Sequence, residues 1–477
     1  MNQCPLIVDL DGTLVHTDTL HELLTASIFR NPFNLFSILG WLGRGKAGFK
    51  EALVSHQPLD VSCLPWNLEL IDWLTVEKNS GREIVLCTGA NQVIAGAVQE
   101  HLGLFSDVIA SDGSRNMTGH AKADLLAERF GEGQFDYVGN ADVDLAIWQK
   151  ARKAILTNAP GNLRRKAEAL SEIDREFPRR RVGVRDLVRV LRLHQWAKNL
   201  LLFVPVIASH NLGQPGDWLD MLVAFLAFSL CASSVYIIND LHDLDSDRHH
   251  ARKCRRPFAA GKVPLRWGWL LGPVLLLLAL LGGALVNQAF LSVLCIYFLL
   301  TLAYSLWLKS LVLVDCLVLS LLYTLRIIAG AQMVGHDLSF WLMAFAVFLF
   351  LSLSFVKRYS ELADLQQSGK ASARGRGYDI SDISLIHTMG ITAGYASVLV
   401  LALYLNSEEV MELYRNPQII WGAVPVILFW VSWMWLQAHR GNMHDDPLIF
   451  ALKDTVSLVC GVVFLAMVAG GTLVWPW

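Results

Sequence analysis

The sequence predicts two folds on one chain: an N-terminal α/β domain with a helical cap, and a C-terminal all-α polytopic membrane domain of about nine transmembrane helices. Three observations predict it. Residues 1 to about 160 alternate β-type runs with helical stretches, the pattern of a mostly parallel sheet. From about Leu200 onward the chain becomes a series of apolar runs of roughly 20 residues, the length needed to cross a hydrocarbon core. The loops between those runs are segregated by charge.

At 477 residues the chain is too long for one ordinary core. Hydrophobic residues make up 54% and charged residues only 17%, and the charges thin out sharply after Arg192. The formal net charge of −2 says little, because the asymmetry is local, and no nucleic-acid partner is expected. Eight cysteines show no pairing pattern and no Cys-x-x-Cys, which fits reduced thiols. No signal peptide is visible, so the N-terminal domain is expected to stay on the side where it is made.

In the first domain, set at residues 1–165, Pro5–Asp9, Glu83–Cys87, Val108–Ala110 and Phe135–Val138 read as buried strands. A basic linker, 166–192, carries Arg175, Arg179, Arg180, Arg181, Arg185 and Arg189 and suits anionic lipid. The membrane domain, 193–477, has apolar runs near 198–212, 218–238, 267–287, 289–308, 311–334, 339–356, 384–405, 418–437 and 455–475. With the N-terminus inside, the loops 239–266, 309–310, 357–383 and 438–453 are cytosolic and hold fifteen Lys plus Arg, whereas the opposite loops hold only Arg415. An integral protein of a bacterial inner or plasma membrane is expected, with the N-terminal domain and the active sites in the cytosol.

The first strand runs into Asp9-Leu10-Asp11-Gly12-Thr13-Leu14. Two carboxylates two residues apart, just past a strand, reach one pocket, and such a pair suits Mg²⁺-assisted phosphoryl transfer. The second strand ends in Thr88-Gly89; Lys122 follows in Gly119-His120-Ala121-Lys122; the fourth strand ends in Gly139-Asn140-Ala141-Asp142-Val143-Asp144. This ordered set resembles the haloacid dehalogenase-like (HAD) phosphatase superfamily over residues 1 to about 160. The resemblance implies a Rossmannoid fold, Asp9 as nucleophile, Asp11 as general acid/base, Thr88 and Lys122 gripping the phosphoryl group, and Mg²⁺ held by Asp9 and Asp11. Asn140 departs from the family pattern at a position that is normally acidic, and Asp142 or Asp144 is the expected compensation. The insert from about Leu20 to Trp66 reads as a helical cap. Its apolar stretch Phe29–Leu42, followed by Arg44, Lys46 and Lys50, suits either a membrane interface or a helix packed on its own domain.

The second apolar run ends in Asn239-Asp240-Leu241-His242-Asp243-Leu244-Asp245-Ser246-Asp247. Asp240, Asp243 and Asp247 fall at i, i+3 and i+7, one helical face, and clustered carboxylates suit Mg²⁺, which in turn clamps a diphosphate. Arg248, Arg252, Lys253, Arg255, Arg256 and Lys262 follow as positive-inside anchors and phosphate ligands. Further along stand Tyr304, Lys309, Asp315 and Arg326, then Lys357-Arg358-Tyr359-Ser360-Glu361. Arg326 lies deep in an apolar run, where a charge is either functional or snorkels to the border.

The Asn-Asp-x-x-Asp-x-x-x-Asp motif, its Arg-Pro follow-up and the run count resemble the UbiA superfamily of intramembrane prenyltransferases over about 185–477. Ordinary members carry a second motif, Asp-x-x-x-Asp; here Tyr304-x4-Lys309-x5-Asp315 stands in its place and Leu319 replaces the second acid. With Arg192–Asn199 and the Lys357-Arg358-Tyr359 cluster, the pattern is similar to the decaprenyl-phosphate phosphoribosyltransferase branch. That resemblance implies Mg²⁺-dependent transfer of phosphoribosyl from phosphoribosyl pyrophosphate to a polyprenyl phosphate. It places the metal–diphosphate on Asp240, Asp243 and Asp247 beside Asn239, with Asp315 as a further ligand, and phosphates on Lys198, Arg256, Tyr304, Lys309, Arg326, Lys357 and Arg358. The fused phosphatase domain is then expected to remove the 5-phosphate of the product. A prenyltransferase acting on an aromatic acceptor would be marked by a second Asp-x-x-x-Asp, which is missing; a lipid-binding or transport protein would need charged residues through the other half of the bilayer.

Overall fold

The structure, a computed structural model, describes residues 4–31, 33–112, 117–178, 182–208, 215–250, 252–335, 339–367, 377–407, 416–443 and 446–472. Arg179, Arg180, Arg181 and Arg415 lie outside the described residues. The chain divides into two compact units, Met1–Val190 with Ile237–Leu271, and Leu191–Tyr236 with Gly272–Trp477.

The first unit is built on a six-stranded sheet in the order β3-β2-β1-β4-β5-β6, with β1 Leu6–Val8, β2 Ile84–Asn91, β3 Asp107–Ser111, β4 Asp136–Gly139, β5 Lys153–Thr157 and β6 Glu172–Phe177. All pairings are parallel. Leu6, Ile7 and Val8 are fully buried, as a strand covered on both faces requires. In register, Val8 stands opposite Leu86 on one side and Val138 on the other, so Asp9, Thr88 and the 139–144 loop emerge at one sheet edge. Strand order reverses at β1, the point where open α/β sheets bind ligands. Within 166–192, expected as a linker, Glu172–Phe177 forms β6 beside β5 and Val184–Leu191 is helical. The domain thus runs past residue 165.

The cap consists of α1 Thr19–Arg30, α2 Asn34–Leu42 and α3 Gly45–His56. Asp18 caps α1, accepting from Leu20 N at 2.9 Å and His21 N at 3.2 Å. Leu23, Ile38, Phe49 and Leu53 pack into the core beside Leu10 and Leu86. The other face of α2 leaves Phe33, Leu35, Phe36, Leu39 and Leu42 exposed, so the cap helix both packs on its domain and presents an apolar surface. On the opposite face of the sheet from the cap-side cluster, helix α4 His120–Phe130 carries Lys122.

Seven helices among the described residues are long and apolar enough to cross a membrane. They include α5 Pro215–His242, α6 Leu265–Val286, α7 Gln288–Leu306, α8 Val314–Val334, α9 Phe340–Gln367, α10 Ile383–Leu405 and α11 Ala423–His439. The expected nine are not confirmed among the described residues. The first run resolves into the 3₁₀ segment Leu193–Phe203 and the short helix Val204–Ala208, and the last is the shorter apolar helix Thr455–Gly471. Lys198 and Asn199 are buried in that 3₁₀ segment, and their side chains bond within the second unit, a placement that a lipid-facing span disfavours. Close packing in the second unit shows at Gly390, where a Cβ would lie 2.2 Å from the Trp435 ring.

Candidate active sites

The first site grows from the C-terminal ends of β1, β2 and β4. Asp9 ends β1, and Lys122 Nζ donates to its Oδ1 at 2.7 Å. The same ammonium donates to Tyr137 Oη at 2.7 Å, and Tyr137 Oη donates to Asp144 Oδ1 at 3.1 Å. A buried relay Asp9–Lys122–Tyr137–Asp144 results. Burial works against charge on Lys122, yet Asp9 and its neighbours hold the ammonium above its usual range. Burial, then the charge of Asp144, pushes the Tyr137 phenol up, so it stays protonated as a donor. Tyr137 was not singled out from sequence, because a tyrosine inside a β-run reads as core.

Asp11 follows on the turn made by Gly12, whose φ of +72° favours glycine. Asp11 Oδ1 accepts from Thr19 N at 2.8 Å, which ties the loop after β1 to the start of the cap. Burial, reinforced by Asp18, raises the Asp11 carboxyl to about 7. Thr88 is fully buried, and its hydroxyl accepts from Ala90 N at 3.0 Å. Asn140 packs on Gly12: a Cβ there would meet its Nδ2 at 2.1 Å. Asp144 is committed inward, its Oδ2 accepting from Asn140 N at 2.9 Å and Ala141 N at 3.0 Å. Burial, then the charge of Asp9, raises its carboxyl to about 6. Asp142 pairs instead with Lys166 at 2.7 Å on the surface. The structure therefore brings Asp9, Asp11 and Lys122 together, uses Asp144 to shape the loop, and leaves Asn140 as the fourth-strand residue on the cleft. Two carboxylates and an amide are hard oxygen donors of the kind Mg²⁺ takes.

The second site begins at the end of α5. The helical ladder continues through the break at Asp243, with Asp243 N bonded to Asn239 O and Asp247 N to Asp243 O, both at 2.8 Å. Arg256 Nη1 bridges the buried Asp240 Oδ1 at 3.1 Å and Asp247 Oδ2 at 2.5 Å. Asp243 accepts from Asn239 Nδ2 at 3.0 Å and lies 2.9 Å from His242 Nδ1. Burial pushes the Asp247 carboxyl up against the pull of Arg256. Asp247 Oδ1 is buried without a hydrogen-bond partner among the described residues. An orphaned carboxylate oxygen beside two more acids fits a divalent cation.

The second unit collects other predicted residues into three buried groups. Lys198 Nζ, at 2.7 Å, and Lys357 Nζ, at 3.3 Å, converge on Asp446 Oδ2, while Tyr323 donates to Asp446 Oδ1 at 3.0 Å. Asp446 carries no motif and was read only as loop. Burial opposes its ionisation, but the two lysines hold its carboxyl below the usual range. Arg326 is spent internally: it donates to Asn199 Oδ1 and Tyr297 Oη, both at 2.9 Å, and stacks over the Tyr297 ring. Asp315 is fully buried, ion-paired with Arg358 at 2.6 Å and accepting from Tyr378 at 2.5 Å. Tyr304 packs half-buried against the Phe228–Tyr297 cluster, and Lys309 sits half-buried on the turn Leu308–Ser310.

A family model for the UbiA prenyltransferase family matches residues 200–453, more than half of the chain. The chain belongs to the UbiA prenyltransferase family. This UbiA-family protein is 38% identical over 460 residues to an uncharacterised protein, y4nM, of Sinorhizobium fredii, a match covering 96% of this chain and 89% of the relative. It is 30% identical over 291 residues to decaprenyl-phosphate phosphoribosyltransferase of Mycobacterium tuberculosis, covering 60% of this chain and 93% of that one. A solved phosphoserine phosphatase complexed with its substrate covers 39% of this chain and 98% of its own, at 16% identity and a TM-score of 0.26. The protein is thus an integral membrane transferase of the UbiA family that also carries an N-terminal α/β domain.

Proposed function

We propose that the protein transfers phosphoribosyl from phosphoribosyl pyrophosphate to a polyprenyl phosphate, and that its N-terminal domain then removes the 5-phosphate to leave polyprenyl-phosphoryl ribose. The observation that carries the transferase reading is the fate of the second acidic position. Asp315 is buried against Arg358 and Tyr378, so one acidic cluster, at Asp240, Asp243 and Asp247, remains to serve a metal–diphosphate. A prenyl-diphosphate enzyme of the ordinary kind needs both. The 30% identity to the mycobacterial phosphoribosyltransferase supports the same choice.

In the transferase step Asp240, Asp243 and Asp247 would hold Mg²⁺, which when bound neutralises the diphosphate and improves it as a leaving group. The anionic oxygen of the lipid phosphate attacks the sugar C1. The C1–O bond to diphosphate breaks and diphosphate leaves. No proton has to move, so catalysis is positioning and electrostatics. Arg256, released from the carboxylates, and the paired Lys198 and Lys357 are the cations offered to phosphate oxygens.

In the phosphatase step the Asp9 carboxylate attacks the 5-phosphate, and the P–O bond to the ribose breaks as Asp11 gives its proton to the departing oxygen. Water, deprotonated by Asp11, then cleaves the aspartyl-phosphate to release phosphate. Asp9, Asp11 and Asn140 would hold the Mg²⁺ that offsets the charge of the monoester. Lys122, fixed by Tyr137, steadies the phosphoryl oxygens. We place both sites on the cytosolic side of a bacterial inner membrane, from the loop charge bias.

The test is to incubate the full chain with Mg²⁺, a polyprenyl phosphate and radiolabelled phosphoribosyl pyrophosphate. Label should enter the lipid phase as the dephosphorylated ribosyl lipid, and Asp9→Asn should leave the 5-phosphorylated lipid instead. No label in lipid would reject the transferase; identical lipids from both proteins would reject the phosphatase step.

A further inference from the structure

The phosphatase cleft has a wall that the N-terminal domain does not supply. It measures about 580 Å³ and is lined by Asp9, Asp11 and Lys122, by Lys50 of α3, and by Leu265 and Arg266. The last two are the first turn of α6, a helix long enough to span a membrane. All of these residues belong to one compact unit. The segment is firmly held there: Arg248 makes a bidentate pair with Glu22 of α1, and His21 of α1 meets Trp269 of α6 edge-on, with ring centroids 5.4 Å apart.

Three cationic side chains line this cleft. Lys122 is bonded to Asp9 and Tyr137, and Lys50 donates to Gly89 O at 2.6 Å. Arg266 is exposed and has no hydrogen-bond or ion-pair partner among the described residues. A cleft of several hundred Å³ accepts a whole small molecule, well beyond one phosphoryl group. Of the three cations, Arg266 sits where a spanning helix starts. In the same unit, α2 exposes Phe33 at 75% and Phe36 at 71%, side chains suited to a lipid surface.

We propose that Arg266 recognises a second anionic group on the phosphatase substrate, so that the cleft selects a membrane-anchored phosphomonoester that also carries a phosphodiester. The inference rests on the reading of the N-terminal domain as a phosphatase and narrows its substrate class. The monoester sits at Asp9 and Lys122, and the diester anion is met by the Arg266 guanidinium at the foot of α6. A soluble monoester with one anionic group lacks that second hold.

Two matched probes test this on the full chain in detergent: the 5-phosphate of methyl riboside, and 5-phosphoribose bearing a methyl phosphodiester at C1. Phosphate release should favour the second probe in kcat/KM by about 10- to 100-fold, the range of a charge-assisted hydrogen bond. Arg266→Ala should collapse that preference through KM, and Arg266→Lys should restore part of it. An unchanged preference in Arg266→Ala, or an equal loss on both probes, overturns the subsite and leaves Arg266 as a membrane-border anchor. If Asp9→Asn releases phosphate from both probes like the parent, the phosphatase reading itself fails and takes the subsite with it. That pattern is distinct from failure of Arg266 alone.

Discussion

Arg248 and Glu22 form a bidentate ion pair, Nη2 to Oε1 at 2.7 Å and Nη1 to Oε2 at 3.1 Å, with both side chains almost fully buried. The partners are 226 residues apart, one following the acidic motif and the other in the first turn of the cap helix α1. Removing one member of such a pair strands a buried charge, at a cost of about 3–5 kcal/mol. Arg248→Met should therefore lower the thermal transition of the first unit by several degrees, read by intrinsic fluorescence in detergent. Adding Glu22→Gln should recover part of that loss. A single variant as stable as the parent would show that the pair holds nothing together.

The acidic cluster yields a prediction for the transferase. Asp247 is buried, with one oxygen on Arg256 and the other without a partner among the described residues. Asp247→Asn keeps the volume and removes the charge, so the fold should persist while diphosphate release from phosphoribosyl pyrophosphate falls at least about 100-fold. Release at the parental rate would detach these carboxylates from the reaction.

Much of this was legible in the sequence, and what was not has a common cause. Asp9, Asp11, Lys122 and the strands beneath them follow from local pattern, and the register of β1 with β2 and β4 brings their ends together. Tyr137, Asp446 and Glu22 left no local trace, because each acquires its meaning from a partner far along the chain. The stretch 172–177 was read as linker because Glu172, Asp174, Arg175 and Glu176 look solvated; it is an edge strand, where charged side chains blunt further pairing. The run at 198–212 was read as a span from hydropathy, which does not register that Lys198 and Asn199 have buried partners waiting. The acidic triad was predicted on one face, and Arg256 does bridge Asp240 and Asp247, but Asp243 turns to Asn239 and His242 where α5 ends.

Asp446 makes stability depend on pH. Its carboxyl is held below the usual range in the folded protein, so folding favours the ionised form. That contribution is fully present above the unfolded carboxylate pKa of about 4 and is lost as pH falls through the folded value. Thermal scans of the full chain should show stability falling on acidification below about pH 4. Asp446→Asn should flatten that part of the profile and be less stable at neutral pH, where Lys198 and Lys357 lose their shared counter-ion. Parallel acid profiles for the two proteins would refute the assignment.

Asn140 offers the sharpest test of the metal site proposed for the N-terminal domain. Its side chain packs on Gly12, between the loop of Asp9 and Asp11 and the loop shaped by Asp144. An amide oxygen ligates Mg²⁺ without adding charge, whereas a carboxylate at the same place adds one negative charge to a site that already has three acids nearby. Asn140→Asp is nearly isosteric, so its effect is electrostatic. In chelator the variant should be less stable than the parent, since like charges crowd together. On adding Mg²⁺ it should gain more stability than the parent, and the Mg²⁺ needed for half-maximal phosphate release should fall by about tenfold. If Asn140 does not face the metal, the destabilisation in chelator will persist and the Mg²⁺ requirement will not move. The two outcomes separate cleanly in a Mg²⁺ titration followed by both thermal shift and phosphate release.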